Sequence, residues 1–137
     1  MTFLHVVAII VTGLCVLYSD EQGLEWILGK KQTLNAARVD LLHSVVSIGL
    51  ALIILTGGLR VIPALSYYLA QPVFIGKMVF VLVLIINGFF IGRLSHMATT
   101  RTFASLSARE RLPLFISGGV SVLGWAGALL LGLALVF

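Results

Sequence analysis

Four long apolar stretches separated by short polar connections organise this chain. A helix needs about 20 mostly apolar residues to cross a bilayer, and four segments qualify. They run from about Thr2 to Tyr18, Val39 to Gly58, Val73 to Met97 and Leu114 to Phe137. The pattern predicts an all-α, polytopic membrane protein, one four-helix transmembrane bundle over residues 1–137. Residues 19–38 are polar around a Trp26-Ile27-Leu28 cluster. This connection is either a helical extension or an interfacial piece with Trp26 at headgroup level. VIPALSYYLAQP, with prolines at 63 and 72, predicts a short interfacial helix between breakers. Pro113 closes the polar stretch TTRTFASLSARERLP and is expected to open the fourth helix.

Composition agrees with this pattern. The chain is 60% hydrophobic and only 10% charged, with a mean hydropathy of +1.14; soluble domains carry about 25% charged residues. The net charge is +4. The basic residues flank apolar spans, so they read as an orientation signal and not as a nucleic-acid footprint. Lys30, Lys31, Arg38, Arg93, Arg101, Arg109 and Arg111 lie in or beside the first and third connections; Arg60 and Lys77 lie on the other side. This bias places the first side in the cytoplasm and both termini outside, for an inner-membrane protein. Met1 to Ser19 carry no formal charge and no small-residue cleavage site follows, so the first segment is expected to be a retained helix. The single cysteine, Cys15, lies in an apolar run.

Few polar groups interrupt the spans, and such groups are functional candidates. Alternating helix directions convert sequence position into depth. His5 and Lys77 fall at the outer level, near Tyr67 and Tyr68. Asp40, His43, Arg93 and His96 fall at the inner level, with His43 paired to Arg93 and Asp40 to His96. Lys77 and Arg93 bracket the third span about 24 Å apart along a helix; snorkelling to opposite interfaces is the alternative reading. His96 also fits a helix-end cap, and Asn87 fits an interhelical bond. Ser117, Ser121, Gly124, Ala128 and Gly132 form a small-residue stripe on the fourth span. It suits packing within the bundle, with a homodimer face as the alternative. The chain has no CxxC, no HExxH and no phosphate-binding glycine loop. Histidines projecting into a helical bundle suit haem, since neutral imidazole ligates the iron axially.

The segments FLHVVAIIVTGL, FIGKMVFVLVLI and IGRLSHMA resemble the four-helix core of HemJ-type protoporphyrinogen oxidases and the related CopD-like membrane domains. GGLRV followed by YYLAQPVFIGKM is similar to an uncharacterised family of small bacterial membrane proteins. The first resemblance implies a haem-containing membrane oxidoreductase acting on protoporphyrinogen IX. It places key roles on His5 in the first helix and Lys77 in the third. The expectation is a haem- or porphyrin-binding membrane protein, with haem b as cofactor and a porphyrin or a redox protein as partner. His5 is then an axial ligand and Lys77 meets a propionate. His43 and His96 ligate or flank a second site, and Arg93 holds its propionates. The competing classes are a small-solute or ion transporter, with Asn87 between two protonatable rims, and a structural membrane subunit.

Overall fold

The computed structural model describes residues 2–135, and 89% of these are helical. The elements are α1 (Thr2–Ile27), α2 (Ala36–Val61), a short α3 (Leu65–Leu69), α4 (Pro72–Thr100) and α5 (Ala108–Ala134). Four helices are long and apolar enough to cross a membrane: α1, α2 with its continuation to Leu69, α4 and α5. Their outer faces carry exposed large apolar side chains, among them Phe3 and Phe89 at 77%. A water-soluble fold does not leave so much apolar surface uncovered.

The helices overrun their apolar centres, and the local chemistry says why. α1 continues through the polar turn Glu21–Glu25, whose Glu and Gln are good helix formers. It ends where Gly29 adopts φ +77. Lys30 N–H then donates to Glu25 O (2.9 Å) and Gly29 N–H to Trp26 O (3.2 Å), the double bond pattern of a Schellman stop. The first connection is therefore largely a helical extension. α2 starts at Asn35, whose side chain accepts from Arg38 N–H at 3.1 Å. Pro72 opens α4.

α5 departs from expectation. Pro113 lies inside this helix, which begins at Ala108. A capping box decides the start: Ser107 Oγ accepts from Glu110 N–H, and the Glu110 carboxylate accepts from Ser107 N–H. The expected end of the fourth span, Val136 and Phe137, lies outside the described residues.

Two antiparallel hairpins result, α1–α2 and α4–α5, and each closes on glycine. Thr12 and His5 of α1 press on Gly49 and Gly57 of α2. Phe80 and Leu84 of α4 press on Gly127 and Gly124 of α5, where an added Cβ would lie 2.6 Å and 2.7 Å from their side chains. Small residues let membrane helices approach this closely. Ser117, Ser121 and Gly124, the centre of the small-residue stripe, are buried.

The hairpins meet mainly through α2 and α4, and a clasp joins them at one end. Trp26 is 3% exposed and packs with Ala98 and Leu106. Its ring meets Phe103 edge-on at 5.4 Å, and Nε1 donates to Arg101 O at 2.9 Å. Trp26 is thus turned into the protein, because the turn at 101–106 satisfies both its ring and its N–H. Arg111 stacks on Phe103 at 4.5 Å and donates to Phe103 O. Arg101 pairs with Glu110, and Leu34 N–H donates to Ala98 O at 2.7 Å.

Candidate functional site

His5 sits one turn into α1 and is 5% exposed. Its Nδ1 lies 2.8 Å from Thr56 Oγ1 of α2. The Thr56 hydroxyl itself donates to Leu52 O at 2.7 Å. A hydroxyl has one hydrogen, so its oxygen receives the Nδ1 proton. This network places a proton on Nδ1, and the neutral ring with that proton has its Nε2 lone pair free. Gly57 seats the ring, since a Cβ there would lie 3.1 Å from His5 Cε1.

Lys77 of α4 is half-buried, with Nζ over Gly132 of α5. Lys77 and Arg60 both lie close enough to His5 to act on it electrostatically. The structure therefore brings the expected outer pair to one end and adds Arg60. Reading for charge alone assigns Arg60 only to topology; its place one turn after Thr56-Gly57 on α2 is the signal that groups it with His5. Every side-chain carboxylate of the chain (Asp20, Glu21, Glu25, Asp40 and Glu110) falls at the opposite end. The His5 end thus holds two cations and a histidine without a side-chain counter-ion. Tyr67 and Tyr68 stack edge to face there, and Tyr68 also meets Phe74.

The inner four residues form no hydrogen bond or ion pair with one another among the described residues. Asp40, Arg93 and His96 are exposed, and their side chains make no hydrogen bond or ion pair among the described residues. Only His43 turns inward, its Nε2 3.1 Å from where a Gly92 Cβ would stand. Depth fixes a residue's level but not its direction. Arg93 follows Gly92 by one residue, about 100° around the helix, and so faces away from His43. Among the described residues, no three His, Cys, Asp or Glu side chains are grouped to hold a metal ion.

His43 faces a cleft of about 750 Å³ between the hairpins. Leu50, Leu84, Ile91 and Val122 are among its apolar walls, and both tryptophans border it. Asp20, Lys31, Arg38 and Ser95 stand with His43 toward the clasped end. Asn87 also borders the cleft, and both its amide atoms bond to Ser117: it donates to Ser117 O (3.1 Å) and accepts from Ser117 Oγ (2.8 Å). Asn87 is the interhelical bond its position suggests. Compared with known proteins, the chain matches no family model, no curated protein and no solved structure.

Proposed function

We propose that this chain is an inner-membrane protein that binds haem b or a related porphyrin, for electron transfer or porphyrin oxidation. The reading rests most on one observation: His5 is held by Thr56 and Gly57 with its Nε2 lone pair free. Metal-ligating histidines are oriented in this way, through a hydrogen bond at the other ring nitrogen. His5 would ligate the haem iron. Lys77 and Arg60, without a side-chain carboxylate nearby, would hold the propionates as charge-assisted donors. Haem would supply one-electron chemistry at this end of the bundle; the chain supplies the ligand, the cationic surroundings and the helical frame. The likeness to HemJ-type oxidases in FLHVVAIIVTGL and FIGKMVFVLVLI supports the same assignment of His5 and Lys77. In this reading both termini and the His5 site face outward, and the clasped, arginine-rich end is cytoplasmic. Surrounding lipid and an external redox protein or porphyrin are its partners.

The inner set contributes less. Arg93 and His96 are exposed and make no side-chain bond to His43, so a second haem held jointly by these residues has less support than the His5 site. Asn87 bonds to Ser117 across the α4–α5 contact, which favours a packing role for it over the transporter reading.

Haemin titration of the purified protein tests the proposal. The expected outcome is a saturable Soret shift. Lys77→Ala or Arg60→Ala should weaken binding about tenfold, as the loss of one charge-assisted bond. No Soret shift, or the same affinity in both variants, would overturn this assignment.

A further inference from the structure

We propose that the cleft between the hairpins is a separate site for a lipid-soluble quinone, a neutral ring bearing acceptor oxygens on an apolar tail. Its volume, about 750 Å³, lies within the range of small-molecule sites, roughly 300–1,000 Å³. Its charged side chains are confined to one end, and the polar groups Asn87 and Ser117 on its deep wall are bonded to each other. Leu50, Leu84 and Val122 line the depth, while His43, Arg38 and Ser95 stand toward the clasped end.

Charge decides which head group fits. Three charged side chains border the cleft: Asp20, Lys31 and Arg38. Lys31 is already paired with Glu25 at 3.1 Å and donates to Gln22 at 2.6 Å. One carboxylate and one guanidinium remain, and they cancel. A phosphate would find no net positive site there. A neutral head whose oxygens accept hydrogen bonds finds donors in the imidazole of His43 and the guanidinium of Arg38. The ring of Trp125 offers an aromatic face on the cleft wall.

Two glycines make the site testable. Gly88 of α4 and Gly118 of α5 border the cleft, and an added Cβ at either meets nothing within 4 Å. A leucine at either position therefore projects into the cleft without a clash at its base. Both tryptophans of the chain, Trp26 and Trp125, line the cleft, so a quenching quinone reports its own binding. Decylubiquinone is titrated into the detergent-solubilised protein while tryptophan emission is followed. Saturable quenching is expected, lost in Gly88→Leu and in Gly118→Leu and weakened about tenfold in His43→Leu. Phosphatidylglycerol added as competitor should leave it unchanged. Quenching that never saturates, or that both leucine variants retain, overturns the site. Displacement by phosphatidylglycerol overturns the neutral head group and assigns the cleft to an anionic lipid. If neither leucine variant folds, saturation in the unaltered protein and its weakening in His43→Leu decide the question. The haemin response of the His5 end is read on the same samples, so failure of one site is distinguishable from failure of the other.

Discussion

His5 and His43 are built alike and surrounded differently. Each lies with its ring on a glycine of a neighbouring helix, His5 on Gly57 and His43 on Gly92, at almost the same separation. His5 belongs to the inside of one hairpin, is buried, and has its Nδ1 proton committed to Thr56. His43 stands between hairpins, half-buried, beside open space. One ring is fixed in tautomer and direction, as a metal ligand must be. The other is free to turn toward whatever fills the cleft. Function follows the way the second nitrogen and the far side of each ring are treated, and not the histidine alone.

The contrast depends on the clasp that holds the cleft's polar end, and the largest effect is expected there. Trp26→Ala should cost about 3–5 kcal/mol, as for other buried tryptophans, measured by unfolding in mixed micelles. Gly57→Ala comes next. His5 is enclosed and cannot retreat from the new methyl, so overpacking should destabilise by about 1–3 kcal/mol. Thr56→Val keeps the shape but removes the acceptor for Nδ1. It should cost about 1 kcal/mol and weaken haemin binding, whereas Thr56→Ser restores both. The smallest effect is the most diagnostic. Gly92→Ala meets a ring that can swing into the cleft, so the change should be neutral or stabilise by up to about 1 kcal/mol through helix propensity. Equal losses in Gly57→Ala and Gly92→Ala would erase the distinction between the two histidines.

Much of the frame is legible in the sequence because lipid imposes strong rules. Apolar length reveals the four helices, and the stripe of Ser117, Ser121 and Gly124 reveals a close-packed face. Asn87 reads as an interhelical bond and is one. The helix ends are harder to read, since Glu21 to Glu25 look like a loop by polarity yet favour helix, and a capping box at Ser107 overrides the signal of Pro113. The burial of Trp26 is not legible, because nothing local shows the turn at 101–106 that folds over it. Depth brings His5 and Lys77 to one end. It does not supply azimuth, and so it groups Arg93 with His43 although Arg93 lies about 100° around α4 from Gly92. Thr56 and Gly57 carry no charge and stand out only once α2 is placed against α1. The cleft is a property of two hairpins meeting, and no single segment encodes it.

The most direct measurement is the absorption spectrum of the protein purified from a haem-competent host, alongside His5→Ala and His43→Ala. A Soret band is expected in the unaltered protein, lost in His5→Ala and retained in His43→Ala. A chain that carries no haem, or one whose band survives His5→Ala and disappears in His43→Ala, would contradict it.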